Sequence, residues 1–134
     1  MEIAWSREAS SFVRTSLDAL LRLERAGTDT ELQAARATNA LPVYLDMGGA
    51  LCFTPEGRLL FYDWGTESTR PENDEDWTLV AAVSAAEKFP ELREILPKRP
   101  PTAAACSRCD GTGKLVLTPN AVLHCGTCFG LGWV

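Results

Sequence analysis

The residues in this chain best placed to do chemistry are four cysteines near its C-terminus. Cys106-Ser-Arg-Cys109-Asp-Gly-Thr-Gly113 and Cys125-Gly-Thr-Cys128-Phe-Gly-Leu-Gly132 both read C-x-x-C-x-G-x-G, with 15 residues between the second cysteine and the third. That interval falls in the window for a zinc site built from two C-x-x-C turns. Each turn presents two sulfurs to one ion, and two turns complete a tetrahedron. Four thiolates leave no coordination position open for a substrate, so the expected cofactor is one structural Zn²⁺ held by Cys106, Cys109, Cys125 and Cys128. Gly111, Gly113, Gly130 and Gly132 follow the pairs. Glycine there permits positive φ and lets backbone N–H groups approach the sulfurs. The segment is too short to bury a core, so metal binding supplies its folding free energy.

Other chemistries fit less well. A C-x-x-C redox pair is expected beside a βαβ unit, and none precedes either pair. The polar opening Met1-Glu2-Ile3-Ala4-Trp5-Ser6-Arg7-Glu8 lacks the apolar stretch of a secretory signal. A cytoplasmic location is therefore expected, where thiols stay reduced. Cys52, inside Ala50-Leu51-Cys52-Phe53, reads as a buried free thiol. His124, the single histidine, finds the tetrahedron already full and is expected beside the site or facing solvent. One histidine also leaves no nucleophile, base and orienting group that sequence can mark. Asp46, Asp63, Glu67 and Glu72 read as solvated loop carboxylates, and Glu72-Asn73-Asp74-Glu75-Asp76 lacks the spacing of a calcium loop. No catalytic residue is expected, and the chain reads as a non-enzyme.

The repeated C-x-x-C-x-G-x-G unit resembles the cysteine-rich zinc region of the DnaJ co-chaperones across 106–133. That family carries four such units pairing into two zinc sites; this chain has two, enough for one. It has no His-Pro-Asp tripeptide. The resemblance implies the metal ligands, and a client-binding accessory role as an alternative function.

The 134 residues, 46% of them hydrophobic, suit one domain with a small appendage. No apolar run approaches the length of a membrane span. The net charge of −5 becomes more negative when four thiolates surround one divalent ion. Such a chain repels phosphate backbones, so nucleic acid is a disfavoured partner that would need a local basic patch, and nucleic-acid binding through the zinc ribbon is a further alternative function. Lys98, Arg99, Arg108 and Lys114 read as solvated charges or partners of the anionic metal centre.

The elements that position these residues follow from periodicity. Apolar residues at helical spacing predict a helix over 6–26 with Gly27 as its stop and Arg22 and Arg25 in its last turn. Thr28-Asp29-Thr30-Glu31 fits a capping box opening a second helix to about Thr38. Its apolar stripe, Leu32 and Ala35, is thin, which predicts a surface helix. From Val43 the period becomes two, with Val43, Leu45 and Met47 on one face. Gly48-Gly49 and Thr54-Pro55-Glu56-Gly57 supply turns, giving a three-stranded antiparallel meander. The stretch 63–76 reads as an acidic loop ending in a cap at Asp74 or Asp76 for a helix over 77–88. Pro90 starts a further short helix. Lys114–Thr118 and Ala121–His124 flank a turn and read as a hairpin.

The predicted fold class is α+β: a small antiparallel meander covered by helices on one sheet face, with a C-terminal zinc-ribbon hairpin. The predicted domains are 1–97, a Pro/Ala-rich linker at 98–105, and the zinc-binding hairpin at 106–134. A leucine–proline lead-in at Leu41-Pro42, the double glycine, the strand pairs and Tyr62-Asp63 before helices make 39–97 resemble the SUKH superfamily, immunity and regulatory proteins of α+β fold that bind partner proteins. No binding residue carries over from that resemblance. The expected function is a protein-binding module, immunity- or adaptor-like, with partner-binding residues unknown. Trp5, Trp64, Trp77 and Trp133 are aromatic candidates for an interface; Trp64 and Trp77 are assigned to the core and Trp133 to the cover of the zinc turns.

Overall fold

Ser6 opens the first helix, α1 (Arg7–Arg22): its hydroxyl accepts the Ala9 N–H at 3.0 Å, the usual way an N-terminal serine satisfies a free helix donor. The computed structural model describes residues 2–22 and 29–134. The predicted continuation of α1 to Ala26, with Leu23, Arg25 and the Gly27 stop, and Thr28 of the predicted cap lie outside those residues. Ala9, Val13, Leu17 and Leu20 are buried; spaced three or four apart, they form one apolar stripe.

Helix α2 (Asp29–Thr38) was expected on the surface and is instead packed inward, burying Leu32, Ala34, Ala35 and Thr38. The reason is size rather than hydrophobicity. Alanines let the helix backbone approach the sheet, so Ala34 joins Ala40, Ala50, Cys52 and Tyr62 in one cluster, while Leu32 and Ala35 join the main core. The Thr38 hydroxyl donates to the Ala34 carbonyl at 2.7 Å and accepts the Ala40 N–H at 3.2 Å. Asn39, at φ 52, then turns the chain out of the helix.

Strands β1 (Leu41–Leu45), β2 (Gly49–Phe53), β3 (Leu59–Asp63) and β4 (Ser68–Pro71) form one antiparallel sheet in that order. Pro42 sits on the edge strand β1, where its missing N–H costs no ladder bond. All five residues of β2 are buried. Leu51 and Phe53 enter the cluster that α1 and α3 complete, and Ala50 and Cys52 enter the one with Ala34 of α2. Helices therefore cover both faces of the sheet rather than one. A strand with no polar alternate demands it.

Two further expectations change. A bulge between Pro42 and Tyr44 shifts the register of β1, so Leu45 is exposed and Met47 stands fully exposed at the tip of the turn. The alternation read from Val43 to Met47 ends at that bulge. The stretch 63–76, read as a loop, contributes β4. All four of its residues are exposed, so no burial pattern marks it. Backbone pairing with β3 makes it, after a turn in which the Asp63 carboxylate accepts the N–H groups of Gly65 (2.8 Å) and Thr66 (3.2 Å). Arg70 on β4 lays its guanidinium 4.6 Å from the Phe61 ring centroid.

The predicted turn at 54–57 forms, with the Gly57 N–H donating to the Thr54 carbonyl at 2.9 Å and Gly57 at φ 86. Trp5 lies over it, donating from Nε1 to the Pro55 carbonyl at 3.0 Å. A Cβ on Gly57 would come within 2.5 Å of that indole.

Helix α3 (Glu75–Lys88) is capped by Asp74, whose carboxylate accepts the N–H groups of Asp76 (2.8 Å) and Trp77 (3.2 Å). It begins two residues earlier than its apolar residues indicate. Residues 81–86 are buried without a break, so α3 is covered on several sides. Pro90–Ile95 is a 3₁₀ helix that buries Leu92 and Ile95, three residues apart as that helix stacks them. Trp64 is half-buried against Tyr62 (ring centroids 5.2 Å). Trp77 is not a core residue: in the first turn of α3, it is 42% exposed and faces Tyr44, with ring centroids 6.4 Å apart.

Candidate metal centre

The C-terminal segment folds as a hairpin, β5 (Lys114–Thr118) paired with β6 (Ala121–His124), whose open ends each run into one C-x-x-C turn. Lys114 pairs with His124, so the hairpin brings the end of the first cysteine unit beside the start of the second. Among the described residues, Cys106, Cys109, Cys125 and Cys128 are the one group of cysteine, histidine and acidic side chains set to hold a metal ion, and their sulfurs all lie within 4.8 Å of one another. All four are buried.

The distances distinguish ligands from disulfides. Cys106 Sγ is 3.8 Å from Cys125 Sγ, and Cys109 Sγ is 3.7 Å from Cys128 Sγ. A disulfide needs about 2.0 Å. A tetrahedron with metal–sulfur bonds of about 2.3 Å, the zinc–thiolate length, has edges of about 3.8 Å. The four sulfurs therefore fit the corners of such a site.

The two units repeat each other at an offset of nineteen residues. Gly113 N–H donates to Cys109 Sγ and Gly132 N–H to Cys128 Sγ, both at 3.2 Å. Cys125 N–H donates to the Gly113 carbonyl at 2.8 Å, and Cys106 N–H to the Gly132 carbonyl at 3.0 Å. Each unit thus binds the opening cysteine of the other through its last glycine. Asp110 and Phe129 share a φ near 55° (54 and 56), followed by Gly111 at 79 and Gly130 at 93. A Cβ on Gly113 would lie 2.4 Å from the Gly130 carbonyl oxygen, and one on Gly132 would lie 2.6 Å from that of Gly111. These glycines serve close backbone approach as well as turning.

The thiols differ: against burial the Gly113 N–H lowers Cys109, whereas burial pushes Cys128 up to about 11 with the N–H groups of Gly132 and Gly130 opposing. The N–H groups of Cys128 and Thr127 hold the Cys125 thiol down at about 6, against an opposing effect of burial. Cys52 has no such donors: burial pushes it up to about 12, with the Thr38 hydroxyl and Lys88 opposing. It stays a neutral thiol in the core, as expected.

His124 stands outside the sulfur tetrahedron. Its ring lies 6.0 Å from that of Tyr44, and its Nε2 lies 4.0 Å from a Glu87 carboxylate oxygen. Lys114 Nζ reaches the same carboxylate group at 3.5 Å. Glu87 was invisible to sequence reasoning, since nothing local marks a helix residue as the anchor of a distant hairpin. Gly130 completes the contact with α3: a Cβ there would meet Val83 Cγ1 at 3.0 Å. Ala104 and Val134 exchange backbone hydrogen bonds of 3.1 and 2.9 Å, and Ala105 bridges Trp133.

Of the four loop carboxylates weighed for acid–base work, three are engaged locally, and Glu67 is exposed at φ 54. Asp46 accepts the N–H groups of Gly48 (2.7 Å) and Gly49 (2.8 Å), Asp63 those of Gly65 and Thr66, and Glu72 that of Asp74 at 3.2 Å. Among the described residues, no helix is long and apolar enough to cross a membrane. No protein-family model, curated protein or solved structure matches the chain, so the metal centre stands on its own geometry.

Proposed function

We propose that the chain is a non-catalytic protein-binding module whose C-terminal ribbon is folded by one structural Zn²⁺. Zinc is favoured by an all-thiolate set with tetrahedral edges and N–H donors on the sulfurs. A closed set of four protein ligands leaves the ion nothing to activate.

One observation carries the binding role. The hairpin beyond the metal exposes Val116 (68%), Leu117 (65%), Val122 and Leu123. Beyond its contact with α3, this two-stranded hairpin leaves those apolar side chains in solvent. Exposed apolar side chains gathered on one short hairpin, with Val116 paired to Val122, favour an interaction site over a solvated loop. The same surface also suits a client-binding accessory role, which suppression of aggregation of an unfolded protein would separate from a dedicated partner. Binding of nucleic acid is disfavoured by net charge and by the pairing of Lys114 with Glu87.

The test is reconstitution. A protein that co-purifies with the zinc-loaded chain from its native source is expected to form a defined complex when both are purified. Val116→Asp with Leu117→Asp is expected to abolish that complex while zinc content is kept. A complex indifferent to those substitutions, or no complex from native material, removes the proposal.

A further inference from the structure

Among the described residues, Val83 of α3 is buried yet belongs to neither core cluster of the body. The second metal turn lies on it: a Cβ on Gly130 would come 3.0 Å from Val83 Cγ1 and 3.1 Å from His124 Cδ2. Glycine at 130 therefore leaves the gap through which the turn settles on the helix. One helical turn further along, Glu87 receives both strands of the hairpin, Lys114 Nζ at 3.5 Å and His124 Nε2 at 4.0 Å. Those two are cross-strand partners at the open end of β5 and β6. Tyr44 of β1 closes the contact from the sheet, its ring 6.0 Å from that of His124. Beside these contacts an apolar groove of about 460 Å³ separates Tyr44, Trp77 and Val80 on the body from Val122 on the hairpin.

Every hairpin group in this docking belongs to the segment that the ion organises. His124 precedes the ligand Cys125, Gly130 follows the ligand Cys128, and Lys114 follows the Gly113 that holds Cys125. The ribbon's buried cluster consists of the four cysteines, with Leu115 packed against them. A segment with so little core folds when its metal binds. The body needs no such help, since its two core clusters draw no residue from beyond Leu96. The Glu87 and Lys114 side chains are both nearly half exposed, and exposed ion pairs hold little by themselves. Docking on α3 must therefore follow the folding of the ribbon.

We infer that the metal works as a latch on α3. With the ion bound, the ribbon is docked and Val83 is covered. When the ion is lost, the ribbon lifts while the body stays folded, and Val83 opens to solvent with Val80 and Tyr44 as one apolar face. The inference rests on the structural-metal reading and is independent of the protein-binding one.

The test uses the full chain carrying Val83→Cys, a smaller side chain that fits under Gly130. Alkylation by iodoacetamide is followed peptide by peptide in a mass spectrometer, with zinc bound and after chelation. The rate at position 83 is expected to rise at least about tenfold on zinc loss, while that at Cys52 stays slow, the pattern of a local opening. Hydroxyl-radical footprinting of the unsubstituted chain is a second readout. Oxidation of Tyr44 is expected to rise on zinc loss, and that of Tyr62, buried in the body, to stay low. Two results would overturn the inference. One is no gain in reactivity at position 83 and Tyr44 without zinc. The other is Cys52 and Tyr62 becoming reactive together with them, which would make the ion a support of the whole chain. Zinc content, measured first, separates the two readings: a chain that purifies without the ion removes both, whereas unchanged labelling after measured zinc loss removes the latch alone.

Discussion

Cys125 donates its backbone N–H to the carbonyl of Gly113 at 2.8 Å, across the two halves of the cysteine site. With its counterpart from Cys106 to Gly132 at 3.0 Å, it fixes the spacing of the two turns independently of the sulfurs. The backbone lock and the metal therefore act on the same geometry.

If the lock depends on close approach, glycine size is what it needs. Gly113→Ala and Gly132→Ala each place a Cβ inside 3 Å of a backbone oxygen and at positive φ. Each is expected to cost at least about 1–2 kcal/mol of ribbon stability, seen as weaker zinc retention in chelator competition. Gly126→Ala, with nothing within 4 Å, is expected to change nothing.

Loss of the metal is expected to be regional. Chelation, or Cys109→Ser, is expected to remove amide-exchange protection from β5 and β6 while leaving β2 and α3 protected. Four thiolates compete with protons for one ion, so release on acidification is expected to be steep. Zinc release followed with a colorimetric indicator against pH checks this. Retained protection of β5 and β6 in the zinc-free protein would contradict it.

Cys52 gives a pH dependence of definite sign. Its thiol lies well above its ordinary value of 9.0, at about 12 in the folded chain, chiefly through burial. A thiol whose value is raised on folding contributes stability that is complete below its unfolded value and lost as pH rises towards the folded one. Stability is thus expected to fall between pH 9 and 12, and Cys52→Val to flatten that part of the urea-midpoint profile. In the zinc-loaded native state, Cys52 is expected to escape alkylation until the chain unfolds.

The cap of α3 is testable on its own. Asp74→Ala is expected to cost about 1 kcal/mol in denaturant unfolding, whereas Asp74→Asn costs little, because asparagine accepts the same N–H bonds. Asp76→Ala, which removes no cap acceptor, is expected to cost much less than Asp74→Ala. Equal effects at 74 and 76 would contradict the capping geometry.

The metal site was legible because its information is local. Ligand identity lies in residue type, and ligand pairing in the three-residue step from Cys106 to Cys109 and from Cys125 to Cys128, which no tertiary context need supply. Even the glycine lock had a signal, the nineteen-residue offset that repeats one unit in the other. The turn at 54–57, the hairpin at 114–124 and the Asp74 cap were legible for the same reason: each is a short-range bond pattern between named residues.

Burial was decided elsewhere. Helix α2 looked like a surface helix because alanine carries little hydrophobic signal, yet small side chains are what allow a helix to sit close on a sheet. Strand β4 has no inward face to announce it and exists through pairing with β3. Strand β1 ends at Leu45 after its bulge, leaving Met47 exposed in the turn, and the first turn of α3 leaves Trp77 partly exposed.

From its own letters the chain determined which atoms gather around a metal, since thiolate spacing is a property of one short loop. Only the folded chain determined that the ribbon lies against α3 through Val83 and Glu87 and leaves an apolar track beside it. Contacts between segments far apart in sequence depend on how whole elements stack, and no local pattern encodes that.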